Sequence, residues 1–206
     1  RDLLEKLGPR GAPGAAPEHI AIGTATDPYQ PAEREFGVTR AILEQLAEQQ
    51  GLSLSITTKS DQVVRDMDLL RRISERSSLA INVSITTPRP RLARLLEPRA
   101  PRPALRLAAV ERLAGAGLDV GVFANPVMPC LTDSEDSLDA VAGAAARAGA
   151  RRFSGGILYL KPCAKRVFLP FLERHFPELA ADYRRRYGNR AFERGVYAEA
   201  VAACVR

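Results

Sequence analysis

Apolar and polar positions along the chain follow two alternating rhythms. Strand-like runs rich in Ile, Val, Leu and Thr occupy 18–24, 52–58, 79–86, 119–125 and 153–159, and each predicts a β-strand. Between them, apolar residues recur at three- and four-residue spacing over 33–49, 61–76, 103–116 and 134–148, which predicts helices. The strand starts lie 34, 27, 40 and 34 residues apart, as in successive βα units. The third interval is the longest because Pro88, Pro90, Pro98, Pro101 and Pro103 break up its beginning. Gly51, Gly117 and Gly149 each follow a helix, as C-terminal caps do, and Asp133 or Ser134 can cap the fourth helix. Beyond Tyr159, residues 165–206 read as helices, with Phe168, Phe171, Leu172 and Phe176 on a core-facing stripe.

Five consecutive βα units imply a parallel sheet with right-handed crossovers, hence an α/β fold. Parallel strands covered on both faces should be apolar throughout. These strands instead carry polar side chains at every second position. Asn82, Ser84 and Thr86 alternate with Ile81, Val83 and Ile85; Thr24 and Thr26 alternate with Gly23 and Ala25; Thr57 and Lys59 share a face. In a barrel the outward face packs on helices, so the polar set is expected on the interior, near the strand C-termini, as the wall of a ligand site. Residues 1–17 read as a helix end and a Gly/Pro/Ala linker, 18–160 as the barrel core, and 161–206 as a basic helical extension.

Composition narrows the function classes. With 206 residues and 46% hydrophobic positions the chain can bury a substantial core. No run of eighteen apolar residues predicts a membrane-spanning helix. Three widely spaced cysteines, Cys130, Cys163 and Cys204, suit neither a disulfide framework nor a metal cluster, and a cytoplasmic, reducing setting is expected. The net charge of +6 is uneven: residues 151–206 hold 12 Lys+Arg against 5 Asp+Glu. That basic third is a candidate nucleic-acid contact, with Arg184-Arg185-Arg186 as its densest run; a solvated helix face is the alternative.

Lys59 is the sharpest single candidate. It is one of four lysines and closes the strand ending Ile56-Thr57-Thr58, where an ammonium can hold a carboxylate or phosphate, or act as a base. Thr26-Asp27 offers a hydroxyl and a carboxylate before a helix, although Asp27-Pro28 is also ordinary turn chemistry. Asn125 ends the fourth strand, with Pro126 and Pro129 stiffening its exit. Cys163, beside Lys161 and Lys165, reads as an ordinary thiol, and His19 and His175 read as structural. The sequence holds no Gly-rich phosphate loop and no nucleophile elbow.

The segments Gly23-Thr24-Ala25-Thr26-Asp27-Pro28-Tyr29-Gln30-Pro31-Ala32-Glu33, Thr58-Lys59-Ser60, Val83-Ser84-Ile85-Thr86-Thr87, Leu96-Glu97-Pro98-Arg99-Ala100 and Ala124-Asn125-Pro126-Val127-Met128-Pro129 occur in an order and at a spacing that resemble the radical S-adenosylmethionine superfamily. The nearest branch is the group related to spore photoproduct lyase. The resemblance implies a partial (β/α)6 TIM-like barrel, an enzyme that reductively cleaves S-adenosylmethionine to a 5′-deoxyadenosyl radical, and a [4Fe-4S] cluster. It also implies a reductase or flavodoxin-type electron donor. By the same resemblance, Thr24, Thr26, Asp27, Lys59, Ser84 and Asn125 bind the cofactor. Thr26 would meet the methionine end, Lys59 its carboxylate, Ser84 the methionyl or ribose groups, and Asn125 the ribose or adenine.

Two departures qualify it. The family's Cys-x3-Cys-x2-Cys loop is absent from this sequence, so the chain is expected to begin after it, its five strands being the second to sixth of the barrel. Thr24 stands where the lyase branch places a hydrogen-donating cysteine two residues before its Ser-Asp pair, so repair by that route is not expected. Two other classes stay open: a lysine-dependent barrel aldolase or isomerase, which needs an acid partner for Lys59 and eight strands, and a cluster-less barrel acting as a binding module.

Overall fold

The computed structural model describes residues 18–205; the helix end and linker expected at 1–17 lie outside the described residues. Five strands, β1 (His19–Ile22), β2 (Ser53–Thr58), β3 (Ser78–Ser84), β4 (Asp119–Val127) and β5 (Arg152–Ile157), form one sheet in sequence order. Every neighbouring pair is parallel. Crossovers of one hand that always advance to the next strand put their helices on the same side of the sheet. The opposite side is left as the concave face of a partial barrel.

The two faces differ in chemistry as the alternation predicts. Leu54, Ile56, Leu79, Ile81, Val83, Val120 and Val122 are buried with helix residues Leu43, Leu46, Leu70, Ile73, Val110, Leu113 and Val141 in one core. Each fully buried aliphatic side chain contributes about 1.5–3 kcal/mol of transfer free energy, so this face holds the fold together. The pairing register aligns Thr57 with Asn82 and Gly121, and Ser84 with Phe123 and Ser154. Short polar or small side chains therefore line most of the concave face.

Helices α1 (Glu33–Phe36) and α2 (Val38–Ala47) replace the single helix expected over 33–49, because Gly37 interrupts it at φ 60°. The next crossover begins as a 3-10 turn over Asp61–Asp66, capped by the Ser60 hydroxyl, before α3 (Met67–Arg76). An unexpected helix, α4 (Pro90–Leu96), occupies the proline-rich interval, with Pro90 in its first turn, where a missing N–H costs nothing. The crossovers finish with α5 (Pro103–Gly115) and α6 (Glu135–Arg147).

Strand ends also move. β1 stops at Ile22 rather than residue 24: Gly23 has φ 96°, and a Cβ there would sit 2.1 Å from the Thr57 carbonyl oxygen. β3 ends at Ser84 and β5 at Ile157, two residues short of expectation, whereas β4 runs on to Val127 through a register shift after Ala124. The Asn125–Pro126 peptide bond is cis.

The C-terminal region forms α7 (Pro162–His175), α8 (Pro177–Tyr187) and α9 (Val196–Cys204). Leu172, Tyr183 and Tyr187 are fully buried with Met128, Leu131, Leu158 and Leu160, and Phe168, Phe171 and Phe176 pack around them, as the stripe predicts. Val201 and Val205 cover Ala124, Val127 and Leu138 beside β5.

Candidate binding site at the strand ends

Lys59 leaves β2 under tight control. Its backbone N–H donates to Asp27 Oδ2 at 2.7 Å. Asp27 Oδ1 accepts from the Thr58 hydroxyl at 2.7 Å and from the Tyr29 N–H at 2.9 Å. Both carboxylate oxygens of Asp27 thus pin the exit of β1 to the exit of β2. The side chain that the sequence offers as a cofactor contact is a clamp that fixes where Lys59 starts. Thr58 extends the clamp by accepting from the Ser60 N–H at 2.9 Å.

The Lys59 ammonium lies 2.6 Å from Glu97 Oε1, and the other oxygen of Glu97 lies 2.6 Å from the Arg106 guanidinium. Arg106 is 1% exposed. It also donates to the carbonyl oxygens of Ser84 and Pro101, each at 2.9 Å. A buried guanidinium with all-round acceptors satisfies the demand that buried charges be paired. Thr86 donates to the Asn125 carbonyl oxygen at 3.1 Å and contacts Glu97 Oε1 at 3.3 Å. Burial pushes the Glu97 carboxyl up, but Lys59 and Arg106 beside it hold it below its ordinary value overall.

Lys59, Ser84 and Asn125 line one cavity of about 440 Å³ with Thr57, Gly156 and Tyr159, among others. The ends of β2, β3, β4 and β5 all reach it. The Asn125 side-chain oxygen accepts from the Gly156 N–H. Among the described residues its amide nitrogen makes no hydrogen bond. Lys59 also borders a second cavity, of about 450 Å³, with Asp27, Gln30, Arg34 and Arg99. Thr26 is not brought to either. It borders a third cavity, of about 410 Å³, with Asp27, Glu33 and Thr39, and Thr24 is exposed in the bend after β1. The six sequence candidates thus separate into a converging trio, a clamp and two peripheral threonines.

Sequence reasoning missed Glu97 and Arg106. Glu97 was visible inside Leu96-Glu97-Pro98-Arg99, but nothing local marks its partner. Arg106 had a signal: it falls on the apolar stripe of α5 with Ala109, Val110 and Leu113, where a charge needs a buried partner.

The basic run lies on α8, where each arginine has an acidic neighbour. Arg184 pairs with Glu173 and Arg185 with Asp182; Arg186 lies 2.6 Å from Asp182 and 3.6 Å from Glu193. A different patch is cationic without acidic partners among the described residues. Tyr159, 53% exposed, lies 5.8 Å from the Phe192 ring, with the Lys161 ammonium 5.9 Å from its centroid. The Arg194 guanidinium stands 4.9 Å over Phe192. The Leu160 N–H to Ala191 carbonyl hydrogen bond, 2.6 Å, holds the two segments together.

His19 is held between the Ser53 and Ser55 hydroxyls at 2.9 and 2.8 Å, and His175 packs tilted against the Phe171 ring, centroids 4.8 Å apart. Cys130, Cys163 and Cys204 are free and exposed, and no cluster of His, Cys, Asp or Glu among the described residues could hold a metal ion. Among the described residues no helix is long and apolar enough to cross a membrane. Glu97 is the acid partner that a lysine-dependent barrel would require; of the eight strands such a barrel needs, five are present among the described residues.

No family model matches the chain. An uncharacterized protein of Mycobacterium tuberculosis (strain ATCC 25618 / H37Rv) is 38% identical over 170 residues, covering 82% of this chain and 50% of that protein. One from Methanocaldococcus jannaschii is 31% identical over 159 residues, covering 77% of this chain and 57% of that protein. The chain spans about half the length of the curated relatives it matches. Among solved structures, a spore photoproduct lyase double mutant with bound AdoMet and dinucleoside spore photoproduct superimposes with a TM-score of 0.61 at 18% identity, over 85% of this chain and 49% of that one. A single-substitution mutant of the same enzyme gives 0.59 at 17% identity. The fold is therefore that of the spore photoproduct lyase structures: a parallel α/β sheet forming part of a TIM-type barrel.

Proposed function

We propose that this chain is the S-adenosylmethionine-binding part of a radical S-adenosylmethionine enzyme. The observation that carries the reading is the convergence of Lys59, Ser84 and Asn125 on one cavity, each from the end of a successive strand. The donor set suits the ligand. An ammonium matches its carboxylate, and a hydroxyl and a primary amide match a ribose and the edge of adenine. The same fold in a lyase whose structure holds AdoMet supports the assignment. Asp27 enters it by positioning Lys59 rather than by meeting the ligand, and Thr24 and Thr26 lie in the loop before it, outside this cavity.

The residues present do not fit a [4Fe-4S] cluster, because the three exposed cysteines lie apart and form no ligand group. A cluster serving this site would take its ligands from elsewhere in the protein, and a reductase or flavodoxin-type electron donor belongs to the same proposal. Free, exposed cysteines support a reducing, cytoplasmic setting. For the substrate side, the Tyr159–Phe192 pair flanked by Lys161 and Arg194 at the cavity mouth favours a planar, anionic partner such as an unstacked nucleotide. Schiff-base chemistry at Lys59 is less well supported: Glu97 would supply its acid partner, but five of the eight strands such a barrel needs are present among the described residues.

Calorimetric titration of S-adenosylmethionine into the intact protein tests the reading. Lys59→Ala should weaken binding by about ten- to a hundred-fold, the value of one charge-assisted hydrogen bond. Absence of binding by the unmutated protein, or equal affinity in the variant, overturns it.

A further inference from the structure

In the described protein Lys59 is already in contact with a carboxylate. Glu97 Oε1 lies 2.6 Å from the Lys59 nitrogen. Glu97 does not depend on that contact for its place. Arg106 grips its other oxygen at 2.6 Å, the Thr86 hydroxyl approaches at 3.3 Å, and its backbone N–H bonds the Ala93 carbonyl at 2.9 Å. Arg106 is in turn fixed by the Ser84 and Pro101 carbonyls. The carboxylate is therefore a well-anchored, half-buried fixture. The Lys59 side chain, 39% exposed, is the movable member of the pair and reaches the cavity shared with Ser84 and Asn125.

Charges balance in an informative way. Arg106 and Glu97 neutralise each other, so Lys59 leaves the group with one net positive charge. An incoming anion would complete it. The ammonium has three N–H donors, one of which is spent on Glu97, so an external carboxylate can be added on its open side. There it would stand roughly 5–6 Å from Glu97, a distance at which two like charges near a protein surface repel appreciably.

We infer that Glu97 is the built-in occupant of the anion subsite on Lys59, and that its charge sets how tightly this site holds a ligand carboxylate. The inference rests on the S-adenosylmethionine reading proposed above and adds an element to it. Glu97 is a specificity-determining residue that does not touch the ligand. It keeps Lys59 aimed at the cavity when empty and lowers affinity for the anionic end of the ligand when filled, so that the ligand can leave.

The test compares two ligands on the intact protein and on Glu97→Gln, which keeps the side-chain shape and removes the charge. S-Adenosylmethionine should bind the variant on the order of tenfold tighter, the repulsion having gone. Decarboxylated S-adenosylmethionine, which lacks the carboxylate, should bind the variant no more tightly than it binds the unmutated protein. Should Glu97→Gln fail to fold around the buried Arg106, Glu97→Asp carries the test. Its shorter side chain keeps the charge beside Arg106 but withdraws it from Lys59, and S-adenosylmethionine should again bind more tightly. Unchanged or weaker S-adenosylmethionine binding in a folded variant overturns the inference while leaving the proposed function standing. So does equal tightening for both ligands. No binding of S-adenosylmethionine to the unmutated protein overturns both.

Discussion

Asp27→Ala probes the clamp beneath Lys59. The substitution deletes an acceptor for three hydrogen bonds: from the Lys59 N–H at 2.7 Å, the Thr58 hydroxyl at 2.7 Å and the Tyr29 N–H at 2.9 Å. A hydrogen bond to a charged acceptor contributes about 1.5–3 kcal/mol, but water can partly replace the lost partner at this half-buried position, so the three will not sum fully. We expect a loss of about 2–4 kcal/mol. With a urea dependence of about 2–3 kcal/mol per molar, the unfolding midpoint should fall by about 1 M or slightly more. Asp27→Asn supplies a graded comparison. Its remaining oxygen can still serve Thr58 and Tyr29, while its amide would face the Lys59 N–H donor to donor. About half the loss is expected. Urea unfolding followed by far-ultraviolet circular dichroism measures both variants. A midpoint shift under 0.2 M for Asp27→Ala (~0.5 kcal/mol) would refute the clamp and make Asp27 available as a direct ligand contact after all.

Acid stability offers a second check. Glu97 and Glu33 have folded-state pKa values below their ordinary ones: burial raises both, but the paired cations and hydrogen bonds outweigh it. A carboxyl depressed in this way stabilises the fold above its unfolded pKa, about 4.3, and that contribution is lost as pH falls through the folded value. The stability of Glu97→Gln should therefore decline less steeply on acidification than that of the unmutated protein; parallel acid limbs would argue against the ion-paired arrangement. At the cavity mouth, Tyr159→Ala should weaken binding of a fluorescent single-stranded oligonucleotide by about fivefold or more, as loss of one stacked base would, whereas Arg184→Ala should leave it unchanged. Anisotropy titrations showing the reverse order would move the contact to α8.

Much of the fold was legible because its rules are local. The polar–apolar alternation of residues 79–86 assigned opposite faces of β3 to helices and to ligand, and burial of Ile81 and Val83 against α3 and α5 side chains agrees. Boundaries were less legible where a backbone contact between distant segments decides them. Gly23 ends β1 because the Thr57 carbonyl, 34 residues on, occupies the space a side chain would need. Pro90 looked like a breaker and acts as a first-turn residue of α4, since a proline forbids a helix before itself but not after. At the site, Lys59, Ser84 and Asn125 announced themselves as polar residues on strand ends. Glu97 and Arg106 did not, because their meaning lies in a pairing between a loop and a crossover helix. For Arg184-Arg185-Arg186 the converse holds: sequence counts charges, and only the fold shows which acids, Glu173, Asp182 and Glu193, lie beside them.

The position of Arg106 has a consequence for how this protein would answer to genetics. It sits in α5, on the helical layer, yet it bonds the Ser84 carbonyl on one side and Glu97 on the other. In a saturation screen selected for function, position 106 would score with the ligand-contacting residues and tolerate almost nothing, lysine included, because a single ammonium lacks the planar fork that reaches Glu97, Ser84 and Pro101 at once. Its neighbours on the same stripe, Ala109 and Val110, would accept conservative apolar exchange. A map of intolerance would thus extend the candidate site through the barrel wall. A second-site suppressor of a damaged Lys59 contact would be most profitably sought in the helix behind it.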